Sequence, residues 1–388
     1  MEKETRKLPP RYVKYILNAI ERAGFEARLA GGCVRDTLMG RRPADWDIAC
    51  SAPPDAVEAL FPRTVPTGKR HGTVTVLYGG GSCEVTTYRL EGAYSDRRRP
   101  NSVRFTSSLE ADLARRDFTV NAMAMDAAGN LTDPFGGRED IERRLIRCVG
   151  SPEERFSEDA LRMLRAVRFA AKLGFEIDGP TLAAISDCAP LASALSAERV
   201  AAELAGILAS PRPDFAWALA GLGFLDKYLL PGRDASAPRP SLARMPIYAR
   251  TAHFCAALES GGYITSTESF LRALRFDART VKTASDAAKI LRSGSRGYKR
   301  LLLDYGEAAA LAAYPKSRAL REILRSGECW SLRTLAVGGA ELAELGYSGR
   351  ELGAELESLL ERVIERPELN KAEILCKLAE EDLDNDRA

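Results

Sequence analysis

Near residue 150 the periodicity of the chain changes, and no single regular architecture suits both sides of the change. Before it, short apolar alternations of period two are interleaved with brief helical stretches. Phe25, Ala27 and Leu29 take one face of a predicted strand that Gly31 and Gly32 end, and GTVTVLYGGGSCEVTTYR, residues 72–89, reads as two β-rich runs around a glycine turn. From Glu153 onward Ala- and Leu-rich runs of helical period take over, as in EDALRMLRAVRFAAKLGF, broken by Gly and Pro near residues 210, 231 and 239. The expectation is an α/β block followed by an all-helical remainder, and 388 residues suffice for more than one core.

The stretch LAGGCVRDTLMGRRPADWDIACSAP, residues 29–53, concentrates the chemistry. On a strand, Asp45 and Asp47 project to one face while Trp46 turns to the other. Two carboxylates side by side repel, so they call for a divalent cation or a basic neighbour. A bare pair of this kind also suits surface acids on an edge strand. Gly31 and Gly32, between a strand and a predicted helix, would offer backbone N–H groups and a positive helix end to an anion. Arg35, one turn in, adds a guanidinium suited to phosphate; a tight turn with a surface arginine is the plainer alternative. Glu84 in CEVTTYR completes an acidic trio if its strand neighbours the DWD strand. A phosphate bed beside paired acids is what a metal-bound nucleoside triphosphate requires.

Competing phosphate readers fall away. The chain has no GxxxxGK[ST], and GLGFLD near residue 221 lacks the third glycine of a dinucleotide turn. An aspartyl-phosphate phosphatase would place Thr or Val where Ala49 stands. His71 and His253 are the only histidines, too few for a histidine-rich metal site and awkward for a Ser-His triad.

In order along the chain, GGCVRD, DWD, RRDFTVNAMAMD (115–126), DPFGG (133–137) and EDALRMLRAVRF (158–169) resemble the motifs of class II tRNA nucleotidyltransferases, the CCA-adding enzymes and their poly(A) polymerase relatives. The resemblance covers residues 29 to about 175, and LGYSGRELGAELESLLERVIERPELNKAEIL resembles the C-terminal segment of the bacterial CCA-adding branch. It implies an α+β fold: a nucleotidyltransferase head of mixed sheet and helices over 1–146, then an all-helical neck (147–210), body (211–320) and tail (321–388). It further implies that Asp45 and Asp47 hold Mg2+; Glu84, read from the hairpin pattern, is the expected third catalytic acid, with a solvent-facing strand glutamate as the plainer alternative. Gly31, Gly32, Arg35 and Arg116 would meet CTP or ATP, with Asp117 near the ribose and DPFGG as a flexible joint. Asp159, Arg162, Arg165 and Arg168 match the family's nucleotide-binding face.

Elementary hydrogen bonding supports that last assignment. Asp159 and Arg162 are three apart on a predicted helix and so share a face. Cytosine and adenine each present an amine donor beside a ring-nitrogen acceptor, which a carboxylate next to a guanidinium complements; guanine and uracil present the reverse.

The implied partner is tRNA, lying along the helical part by backbone charge and shape. The net charge of +2 confines any basic footprint to local patches, of which RSGSRGYKR (292–300) is the best, though it equally suits a solvated loop. The segment EGAYSDRRRPNSVRF (91–105) resembles the loop that enzymes adding the final adenosine keep. An adenosine-only adder or poly(A) polymerase of the same fold, and an idle RNA-binding protein that keeps the head, are the rival readings. A homodimer is left open.

Cellular setting follows from what is missing. MEKETRKLPP is charged from its second residue, unlike a secretory signal, and the longest uncharged apolar run, Phe215 to Leu225, is far short of the roughly 20 residues that span a bilayer. Eight cysteines stand singly without a CxxC pair, which fits reduced thiols rather than zinc. A cytoplasmic protein without membrane contact is expected.

Overall fold

The computed structural model describes residues 9–91, 103–231 and 239–387. The opening charged stretch up to residue 8 and most of the 91–105 segment, residues 92–102, lie outside the described residues. Two compact units divide at Lys227 and Tyr228.

The first unit starts with α1 (Arg11–Arg22), whose Val13, Ile16, Leu17 and Ile20 recur at helical spacing and are all fully buried. It is followed by β1 (Ala27–Ala30), α2 (Gly32–Leu38), β2 (Asp47–Cys50), α3 (Pro54–Leu60), β3 (Thr64–Gly68), β4 (Thr73–Tyr78) and β5 (Gly81–Thr87). The expected hairpin is present: β4 and β5 pair antiparallel and turn through Gly79 and Gly80, both at positive φ, as a two-residue turn matched to strand twist requires. A small antiparallel pair, β6 (Arg89–Glu91) and β7 (Val103–Phe105), precedes α4 (Leu109–Ala114), β8 (Ala124–Met125), β9 (Leu131–Thr132) and α5 (Gly137–Arg143).

Seven strands form one sheet in the order β3-β4-β5-β2-β1-β8-β9, with β2 and β5 parallel and the other pairs antiparallel. Period-two alternation gives the sheet two unlike faces. Leu29, Ile48, Cys50, Val74, Val76, Cys83 and Val85 pack with α1 and Trp46 into the main core. On the opposite face Ala30 and Ala49 pack with Tyr88, Leu113 and Ala124 into a smaller second core, and beside them Asp47, Glu84 and Thr86 line a cavity.

Beyond the sheet come β10 (Leu145–Ile146), α6 (Pro152–Glu158), α7 (Leu161–Leu173), β11 (Glu176–Ile177), α8 (Gly179–Cys188), α9 (Ala197–Leu208) and α10 (Ala216–Gly221). Ser151 caps α6, its Oγ accepting from the Glu154 N–H, and Gly174 at φ 76° ends α7. Two expectations need correction. The remainder after residue 150 is not purely helical, because β11 pairs in parallel with β10. Nor is EDALRMLRAVRF one helix: Asp159 is extended (φ −143°, ψ 104°) and separates α6 from α7.

The second unit is helical among the described residues: α11 (Ile247–Ser260), α12 (Thr267–Ala273), α13 (Ala278–Ser293), α14 (Tyr298–Ala313), α15 (Arg318–Ser326), α16 (Gly339–Glu344), α17 (Gly349–Glu365) and α18 (Ala372–Arg387). Leu342, Leu359, Leu360, Val363, Leu375 and Ala379 centre its C-terminal core. No helix of the described residues is long and apolar enough to cross a membrane.

Candidate active site

All twelve residues singled out from the sequence line one cavity of about 600 Å³ in the first unit. One wall is acidic. The β2–β5 register sets Asp47 directly opposite Glu84, and Asp45 stands just ahead of the strand rather than within it. Asp45 and Glu84 are exposed, and none of the three acids forms an ion pair among the described residues. Burial, then the charges of Asp45 and Glu84, push the Asp47 carboxyl up to about 6, with Arg116 pulling weakly the other way.

That uncompensated charge fits a hard divalent cation, for which carboxylate oxygens are the preferred donors. Among the described residues no three His, Cys, Asp or Glu groups form a ready-made metal cluster. Magnesium does not need one, since it is commonly held by one or two carboxylates together with phosphate oxygens of the substrate. Nearby thiols are no competitors. Cys33 and Cys83 donate to the main-chain oxygens of Asp47 and Trp46, and burial pushes Cys33 up to about 11 and Cys83 higher still. Six of the eight cysteines are buried, leaving Cys188 and Cys376 partly accessible.

The other wall is basic. Gly31, at φ 80°, has the Arg116 guanidinium against it: a Cβ there would come within 2.7 Å of Nη1. Gly31→Ala is therefore expected to cost about 1–3 kcal/mol in strain and to displace Arg116. Denaturant unfolding together with the KM for nucleotide checks this, and an unchanged KM would mean that Arg116 does not meet the ligand. The Gly31 N–H is not free for an anion, since it donates to Met123 O at 3.2 Å, and α2 is a short helix. Arg35 is only 3% exposed, donating to Asp36 Oδ1 and, at 2.6 Å, to Asn121 Oδ1. It lines the cavity as a braced group rather than a free one.

Asp112, 1% exposed, holds both Arg115 and Arg116; burial opposes its charge, but the two guanidiniums outweigh it and keep the carboxyl below its ordinary range. Asp117 is likewise held low against burial by Arg165, whose Nε and Nη2 both reach Oδ2 (2.8 and 2.6 Å), and by donors from Asn121 and the Phe118 N–H. The guanidiniums of Arg35, Arg165 and Arg168 lie 5.6, 5.2 and 4.6 Å from the centre of the Phe169 ring. Arg168 also pairs with Glu203 on α9.

The predicted Asp159–Arg162 partnership takes a different form. Because Asp159 lies between helices, its Oδ1 caps α7 by accepting from the Leu161 N–H (3.0 Å) and its Oδ2 pairs with Arg199 of α9 at 2.7 Å. Arg162 pairs with Glu158 at 2.6 Å. Sequence reasoning missed Asn121, which braces Arg35 and Asp117, and Lys172, an exposed cation on the rim without an ion pair among the described residues. Extending the basic stripe of α7 by four residues from Arg168 would have found Lys172. DPFGG is anchored here, with Asp133 accepting from the Gly137 and Arg138 N–H groups. In the basic patch of the second unit, Arg292, Lys299 and Arg300 are all engaged by acids, and Arg296 lies 5.6 Å from the centre of the Tyr314 ring.

Residues 27–147 match the model of the poly A polymerase head domain, and residues 174–235 that of a probable RNA- and SrmB-binding site of polymerase A. The CCA-adding enzyme of Geobacillus kaustophilus is 40% identical over 372 residues, covering 90% of each chain. The crystal structure of the Bacillus stearothermophilus CCA-adding enzyme in complex with CTP superposes with a TM-score of 0.79 at 33% identity, covering all of both chains. The Thermotoga maritima CCA-adding enzyme complexed with tRNA shares the fold at 20% identity, with a TM-score of 0.66 over 95% of this chain and 94% of that one. With the motifs, the sheet that presents them and the length of the match in agreement, the chain belongs to the family of CCA-adding tRNA nucleotidyltransferases.

Proposed function

We propose that this protein extends the 3′ end of tRNA without a nucleic-acid template, adding C, C and A from CTP and ATP and releasing pyrophosphate, with Mg2+ as its metal. One observation carries the reading: the unpaired acids Asp45, Asp47 and Glu84 face the arginines of α7 across a single cavity. Bound Mg2+ would make the attacking hydroxyl more acidic and neutralise charge on the leaving pyrophosphate. Asp45 and Asp47 hold it, while Glu84 supplies a third negative charge beside Asp47. Arg116 and Lys172 receive phosphate oxygens, and Arg35 and Asn121 keep the floor of the site in place. Positioning and electrostatics suffice for such a transfer, so no covalent enzyme intermediate is required.

Asp159 and Arg162 read the base, which requires each to exchange its present partner, Arg199 or Glu158, for the nucleotide edge. In this division of labour the head ends near residue 146 and the neck, to about 210, selects the base. The helical body and tail hold the tRNA backbone in the cytoplasm.

The test offers tRNAs ending before CCA, after one C or after CC, with Mg2+ and one or more of the four nucleoside triphosphates. The first substrate is expected to grow by three residues with CTP and ATP together. Growth from the CC end alone would make the protein an adenosine adder, and no growth at all would favour an RNA-binding protein.

A further inference from the structure

Asp45 lines two cavities. The second, about 720 Å³, opens at the end of the sheet where β4 turns into β5, and Tyr12, Tyr78 and Arg63 stand in its wall. Gly81 lets the Tyr12 ring lie on the hairpin backbone, since a Cβ there would come within 2.6 Å of the ring. One turn further along α1, Tyr15 stacks on Tyr78 with centroids 3.9 Å apart and planes within 1°, yet remains 45% exposed. Burial pushes the Tyr12 hydroxyl up, and the Arg42 charge beside it pulls the other way. Arg42 and Arg63 are both exposed and have no ion-pair partner among the described residues.

Tyr15 is exposed while Tyr12 and Tyr78 are half-buried, and accessible aromatic rings beside unpaired guanidiniums are the means by which proteins hold single-stranded nucleic acid without reading its sequence. The location selects the strand. A hydroxyl attacking phosphorus must approach opposite the leaving group, and the basic wall that receives the triphosphate is in the first cavity. We propose that the second cavity is the rest for the single-stranded 3′ end of the RNA acceptor. Its bases stack on Tyr12 and on the Tyr15–Tyr78 pair, its phosphates meet Arg42 and Arg63, and its terminal hydroxyl passes Asp45 into the metal site. This rests on the reading of Asp45 as a metal ligand.

The experiment uses the full chain with Arg63→Ala, Tyr78→Ala and Tyr78→Phe. It measures kcat and KM for tRNA lacking CCA, KM for CTP, and the affinity for a short fluorescent single-stranded RNA by anisotropy. Loss of one stacking or phosphate contact is expected to raise the KM for tRNA, and to weaken oligonucleotide binding, by about tenfold while the KM for CTP stays within about twofold. Tyr78→Phe, which keeps the ring, is expected to match the unaltered protein. Arg63→Ala removes no packed side chain and so separates recognition from folding. Unchanged tRNA KM and oligonucleotide affinity in Arg63→Ala and Tyr78→Ala would overturn the assignment while leaving the transfer reaction intact. Should the unaltered protein extend no tRNA, the functional reading fails, and the oligonucleotide arm still decides whether this surface holds RNA.

Discussion

Asp47→Asn is expected to reduce transfer by about a thousandfold or more, because several kcal/mol of charge stabilisation depend on the cation it holds. The same change is expected to make the metal-free protein more heat-resistant. Asp47 titrates near 6 in the fold against an ordinary 3.8, so between those values the folded chain binds a proton that the unfolded chain has lost. Stability therefore falls as pH rises through this window, and at pH 7 the full penalty, on the order of 3 kcal/mol, is present. Asparagine removes the charge and keeps the shape. Calorimetry without metal at pH 7 is expected to show the variant melting a few degrees higher, with the difference shrinking toward pH 4. Added Mg2+ is expected to raise the melting temperature of the unaltered protein and not that of the variant. A variant that transferred nucleotides normally, or melted lower at neutral pH, would remove Asp47 from the metal site.

Asp159→Ala is expected to leave transfer running and to relax the choice of base, lowering discrimination of CTP and ATP against UTP and GTP by roughly tenfold to a hundredfold, the worth of one good paired hydrogen-bond contact. Since Asp159 also caps α7 and pairs with Arg199, the alanine variant loses about 1 kcal/mol of stability as well. Asp159→Asn retains an oxygen for the cap, so a shared loss of discrimination in both variants isolates base reading from helix stability. Single-nucleotide incorporation with each triphosphate decides it. Full discrimination against UTP and GTP in both would mean that selection lies elsewhere.

Local periodicity made part of this structure readable in advance. The alternation in residues 72–89 fixed which side chains of the hairpin face the open side of the sheet, and Glu84 met Asp47 once β5 paired with β2. Asp45 lies outside its strand, and the acids still share a cavity because the chain entering β2 keeps them together. Partnerships across long sequence separations were not readable. Nothing near Asp159 announces Arg199, forty residues later, nor that the backbone leaves the helix at Asp159 itself. Asn121 was passed over because a polar side chain within an apolar run gives no sign of bracing two groups from elsewhere in the fold. The charge of 292–300 was visible in the sequence, whereas its neutralisation by Glu259, Glu328, Asp304 and Glu361 depends on tertiary packing.

The distribution of thiols has a practical consequence. With six cysteines shielded and those beside the acids held protonated, maleimide dyes should react first at Cys188 and Cys376. One of these lies in each compact unit, so each unit already carries its own site for a fluorophore, and local changes within either can be followed during successive additions without engineering a residue.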